Sequence, residues 1–264
     1  MTATTTAPEL TAQGLHEHFA PTPGYLSACT GGLPSLATTR AVREFVDTWA
    51  SGQLNTHTLG DQANRCVALY ARIAGVAADR VAMGSQVSQF TSIVATSVPD
   101  GGEVLCASGD FSSLTHPFEQ LASRGVRVRY APVAELADAI TADTSLVAFS
   151  LVQSATGEAY KWLCAPRGTA FMTVREGLDD TLTPLAAGWC SADDVWSSCY
   201  AGHTPLAAGA GRFSVSPGWP LLGGTEAALE LFANVDPWAV HDHNIRLANA
   251  AREMLGLAPG NSAI

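Results

Sequence analysis

Between residues 80 and 174, short apolar runs alternate with longer amphipathic segments, and Gly or Pro marks most of the joints. Arg80 to Met83, Glu103 to Ala107, Val126 to Tyr130, Leu146 to Val152 and Ala170 to Val174 read as strands. Val87 to Ser97, Phe118 to Arg124 and Val133 to Ile140 read as the helices between them. Strands connected through helices lie side by side in parallel, and a parallel sheet needs both faces covered. The rhythm therefore predicts an α/β chain with a mainly parallel sheet flanked by helices. Helices at Ala37 to Trp49 and Asp61 to Ala74 precede this block, and a long amphipathic helix from Trp238 to Leu257 follows it. Residues 1–24, rich in Thr, Ala and Pro, read as an arm with a short helical piece. The chain thus divides into an arm (1–24), a large domain (25–235) and the start of a small C-terminal domain (236–264).

Charge and missing motifs narrow the function. With 24 acidic against 14 basic residues the chain carries a net charge of −10, which argues against a nucleic-acid partner. No uncharged stretch stays apolar for the ~20 residues a membrane span needs, and MTATTTAPEL has no secretory pattern. The six cysteines are scattered with no CxxC pair, as expected of reduced thiols in a cytoplasmic protein. There is no GxxxxGK[ST], no GxGxxG after a strand and no GxSxG. His16/His18 and His241/His243 are spaced two apart, so on helices their side chains diverge by about 200°, and no metal site is assigned.

One segment stands out: Ala159-Tyr160-Lys161-Trp162-Leu163-Cys164-Ala165-Pro166-Arg167-Gly168, followed at once by an apolar strand. A lysine between two aromatics is poorly placed for a solvated charge. An apolar setting favours the neutral amine, the form that attacks an aldehyde to make an imine. A lysine lying along an aromatic edge with its ammonium in water accounts for the same local pattern.

Further stretches carry a family likeness in a fixed order. Tyr25-Leu26-Ser27-Ala28-Cys29-Thr30-Gly31-Gly32-Leu33-Pro34 lies near the start, and Met83-Gly84-Ser85-Gln86-Val87-Ser88 joins a strand to a helix. Gly109-Asp110-Phe111-Ser112-Ser113, Ser150 to Gly157 and Arg212 to Trp219 complete the set. With the lysine segment, and over roughly residues 24–257, this layout resembles the class V aminotransferase group of pyridoxal-phosphate (PLP) enzymes. That fold-type-I group includes cysteine desulfurases and kynureninases. The resemblance implies a seven-stranded-type sheet, with Lys161 holding PLP as an internal aldimine. Gly84, Ser85 and Gln86 would cradle the phosphate at a helix N-terminus, where amide N–H groups and the helix dipole favour an anion. Phe111 would stack on the pyridine ring, Ser154 would meet the ring hydroxyl and Tyr160 the phosphate. Thr30 and Gly31 would line the substrate side. Ser216 would reach the phosphate of a neighbouring copy, since relatives are homodimers.

The sequence departs from the pattern twice. Between Gly157-Glu158 and Ala159-Tyr160, relatives carry a helix, two strands and the aspartate that pairs with the pyridinium nitrogen. The resemblance thus implies a missing segment between Glu158 and Ala159, and no acid is assigned to that role. The small domain is short, and no arginine is assigned to a substrate carboxylate. The expected function is a PLP-dependent enzyme acting on an amino acid, aminotransferase-like. A kynureninase- or cysteine-desulfurase-like lyase and a catalytically degenerate scaffold are the alternatives. Cys190 and Cys199 lie in a loop-like region, outside the persulfide context of desulfurases.

Overall fold

A computed structural model of the chain describes residues 12–28, 30–150, 160–202 and 204–260. After α1 (Ala12–Leu15) come two long helices, α2 (Leu36–Ala50) and α3 (Thr56–Ala74). Ser35 caps α2 by accepting from the Thr38 amide at 3.0 Å, and Asn55 caps α3 by accepting from the His57 amide at 3.0 Å. That asparagine starts α3 more than a turn before the expected Asp61, which brings His57 and Gly60 onto the helix. Gly75 ends it in the left-handed conformation (φ 69°).

The five strands found among the described residues form two sheets. β1 (Val81–Gly84) pairs antiparallel with β5 (Ala170–Thr173), Val81 opposite Thr173 and Gly84 opposite Ala170. β2 (Glu103–Ala107) lies between β3 (Arg127–Ala131) and β4 (Thr144–Ala148), all parallel. The break between the sheets falls between β4 and β5, where the family resemblance implies a missing segment. The Glu158–Ala159 junction itself lies outside the described residues. β2 is wholly buried, as a central strand covered on both faces must be.

Two further expected helices differ. The helix placed at Phe118 to Arg124 begins earlier, as α5 (Ser112–Glu119), and continues as a 3₁₀ segment over Gln120–Arg124. Pro117 sits inside α5, where it removes one ladder bond without ending the helix. Val133 to Ile140 forms only a 3₁₀ turn at Val133–Glu135 before further turns. There the Arg129 guanidinium donates to the Ala139 carbonyl at 2.5 Å and to Glu103 at 2.9 Å, tying the loop back to the sheet.

The remaining helices are α4 (Val87–Ala95), α6 (Trp219–Phe232) and α7 (Pro237–Met254). His16, just after α1, lies edge-on to His243 of α7, ring centroids 5.7 Å apart. Among the described residues no helix is long and apolar enough to cross a membrane. The main core joins Leu59 and Cys66 of α3, Met83 of β1, Phe171 of β5 and Leu222 and Leu229 of α6. Leu163 and Ala165, from the lysine segment, are buried in the same core.

The chain order decides where a site can form. From β2 the chain goes to β3 on one side, then returns to β4 on the other. A crevice therefore opens beyond the carboxyl ends of β2 and β4, the place where open parallel sheets hold ligands.

Packing of α6 against α2 depends on glycine. A Cβ on Gly224 would stand 2.7 Å from both Pro166 Cγ and Val42 Cγ2, so Pro166 of the lysine segment rests directly on the helix. Gly224→Val is expected to destabilise the fold by about 2 kcal/mol through overpacking, read as a lowered urea midpoint with unchanged slope.

Candidate active site

The lysine segment is held from both sides. Leu163 and Ala165 point into the core, and Trp162 packs on Phe232 of α6 with ring centroids 5.4 Å apart. On the other side the Gly32 amide donates to the Tyr160 carbonyl at 2.8 Å. A Cβ on Gly32 would come within 2.3 Å of the Lys161 carbonyl oxygen and 2.9 Å of Cys164 Sγ, so only glycine allows this approach. Tyr25 completes the seam by donating its hydroxyl to the Gly31 carbonyl at 2.6 Å, while Ser27 donates to the Thr30 hydroxyl at 2.9 Å. Thr30 and Gly31 are thereby set beside the lysine backbone.

Held this way, the half-buried Lys161 side chain turns toward the crevice. Its Nζ lies 5.5 Å from the Phe111 ring centroid and 5.8 Å from that of Tyr160. The Arg167 guanidinium lies 5.4 Å from the Tyr160 ring, adding a second cation. Phe111 follows β2 at the N-terminus of α5 and is 43% exposed, which leaves ring surface free for stacking.

Asp110 fixes that shelf. Its Oδ1 accepts from the Phe111 amide and from the Ser150 hydroxyl, and its Oδ2 from the Ser150 amide, each at 2.6 Å. One carboxylate thus ties the loop after β2 to the end of β4, across the mouth of the crevice.

The 84–86 turn leaves the same end of the β1–β5 pair from which the lysine segment arrives, because Gly84 faces Ala170. Gln86 is the N-cap residue of α4, and its side chain makes no capping bond. Ser85 directs both its amide and its hydroxyl to Gln89 Oε1, each at 3.3 Å. Gln89 Nε2 is buried and, among the described residues, has no partner. An unpaired buried amide at the start of a helix is costly unless something accepts from it, and a phosphate oxygen would.

Ser216 is exposed and lies beside the Cys190 thiol, whose pKa it lowers. Ser154 lies outside the described residues. Burial pushes the Cys164 thiol up to about 11. Burial, then the neighbouring Cys199, pushes Cys190 up to about 11 against the opposing effect of Ser216.

Three features went unread in the sequence. Lys161 is the only lysine in the chain, a fact that counting alone supplies. Gln89 is one helical turn beyond Ser85, a spacing visible beforehand. The Asp110–Ser150 link joins residues 40 positions apart and had no local signal.

No family model matches the chain, and no curated protein does. Solved structures do. A mutant of C-DES with glycine covalently linked to its PLP cofactor superposes with a TM-score of 0.75 at 16% identity, over 92% of this chain and 80% of that one. The cystine C–S lyase C-DES in complex with cysteine persulfide gives 0.72 at 15% identity, over 84% and 75%. The cysteine desulfurase CsdA from Escherichia coli gives 0.72 at 16% identity, over 95% and 80%. The chain therefore has the α/β fold of these PLP enzymes, fold type I, in agreement with the resemblance read from its motifs.

Proposed function

We propose that the chain is a PLP-dependent lyase acting on a small sulfur-containing amino acid, built as a homodimer. The observation that carries this is the chain's single lysine, held half-buried beside an aromatic shelf and at the carboxyl end of the sheet. Lyase chemistry is preferred to transamination because the similar structures are a cystine C–S lyase and cysteine desulfurases.

The residues present fit the cofactor. Phe111 offers a flat face 5.5 Å from the Lys161 amine, and the unpaired Gln89 amide with the α4 N-terminus offers anion donors. When bound, PLP supplies an electron sink for negative charge at the substrate Cα. Lys161 Nζ would hold the aldehyde carbon and, once displaced by the substrate amine, take the proton from Cα. Gly84, Gln86, Gln89 and Tyr160 would bind the phosphate, and Phe111, oriented by Asp110, would orient the ring. Thr30 and Gly31 would border the substrate, with the Arg167 cation nearby for a carboxylate. Ser154 would meet the ring hydroxyl, and Ser216 would serve the site of the second copy. With Cys164 and Cys190 held protonated, sulfur would leave directly rather than through a persulfide on either thiol.

The decisive experiment adds PLP to purified protein, reduces with borohydride and maps the adduct by mass spectrometry. Phosphopyridoxyl on Lys161, together with an imine absorbance band absent from Lys161→Ala, is expected. Protein that stays colourless and unlabelled would favour the scaffold reading. Pyruvate and ammonia released with sulfide from cysteine, or with cysteine persulfide from cystine, would distinguish the lyase from an aminotransferase, which would give a keto acid that keeps its sulfur.

The thiols provide a separate check. A thiol of pKa about 11 is roughly one part in a thousand thiolate at pH 8. Iodoacetamide at that pH should label the Cys164 and Cys190 peptides at least about tenfold more slowly than the exposed Cys199 peptide, the gap narrowing toward pH 10 as the buried thiols ionise. Equal rates at pH 8 would return a persulfide route to consideration.

A further inference from the structure

A cavity of about 130 Å³ opens between the first half of α3, the 189–196 loop and the start of α6. It shares no residue with the lysine cluster. Three of its walls are indoles, Trp189, Trp196 and Trp219, and Met83 lies among the other lining residues. The indoles are placed deliberately. A Cβ on Gly60 would meet Trp196 Cζ2 at 2.8 Å, so glycine at this point of α3 is what admits the ring. Trp196 then lies between His57 (centroids 4.6 Å apart) and Trp189 (5.4 Å), which stiffens the wall.

Asp61 and Asn64 bring polar groups to the lining. Among the described lining residues Asp61 carries the one formal charge, and no Lys, Arg or His lines the space. Arg65, one turn along α3, hydrogen-bonds Glu226 and attracts the exposed Asp61 carboxylate more weakly, with no hydrogen bond between them among the described residues. A single carboxylate beside aromatic walls selects the sign of a ligand, and the chain's net charge of −10 reinforces that sign at longer range.

Size and hydration set the class. A dry cavity of ~150 Å³ accommodates a molecule as large as benzene, so a compact head group fits this one. A primary ammonium would lose strong hydration bonds against apolar walls. An alkylated ammonium spreads its charge over methyl groups, is weakly hydrated and is attracted to indole faces. We propose that this cavity binds a small alkylated ammonium, with the three indoles supplying contact and Asp61 the counter-charge. The site uses none of the residues around Lys161 and requires no cofactor, and Ser214, Val215 and Pro217 of its lining flank Ser216.

The test titrates the wild-type protein with choline by calorimetry and tryptophan fluorescence. The control ligand is choline's neutral isostere, in which a tert-butyl group replaces the trimethylammonium. Saturable choline binding at least tenfold tighter than the isostere is expected. It should weaken at least tenfold in Asp61→Asn, with native circular dichroism, and stay unchanged in Lys161→Ala. Equal binding of the two ligands, absence of saturable choline binding, or undiminished affinity in folded Asp61→Asn would each overturn the proposal. Loss of binding in Lys161→Ala would overturn its independence from the lysine site.

Discussion

Burial of Leu163 and Ala165 in the core formed by α3, β1, β5 and α6 is the interaction on which the rest of the site depends. Full burial of one leucine side chain stabilises by about 2 kcal/mol, enough to fix a segment that has no regular secondary structure of its own. With those two side chains inward, and Trp162 packed on Phe232, Lys161 has one direction left, toward Phe111. The backbone approach at Gly32 closes the other side. A lysine held by apolar contacts before and after it needs no salt bridge to stay in place.

The parallel sheet contributes differently. Its crossover places the ends of β2 and β4 side by side, and Asp110 converts that proximity into a fixed shelf through three donors on one carboxylate. Hydrogen bonds to a charged acceptor are stronger than neutral ones, and here they orient an aromatic ring without touching its face. The fold type thus supplies the crevice, while side chains peculiar to this crevice supply its chemistry.

Much of this was legible beforehand. The apolar runs at β1, β2 and β5 predicted their strands within a residue, because buried strands are continuous in sequence. The helices were less legible: the one expected from Phe118 starts six residues earlier, at Ser112, with Pro117 inside it, and the 133–140 stretch had helical spacing but forms turns tied back by Arg129. The motif order pointed to Lys161, Tyr160 and Phe111, and the structure brings these three together. Gln89 and Asp110 escaped attention because an amide or a carboxylate has no local mark of being wanted; only its unpaired or shared hydrogen bonds reveal it.

The sequence by itself determined the strand-and-helix rhythm, the acidic surface and the one amine available for imine chemistry, since each is a property of composition or short-range order. The tertiary structure decided which pieces meet. It set Gly32 against Lys161, Ser150 against Asp110 and Trp196 against Gly60, pairs separated by up to about 140 positions. Such contacts follow from how helices and strands pack around a shared core, and short-range sequence order carries no record of that distance.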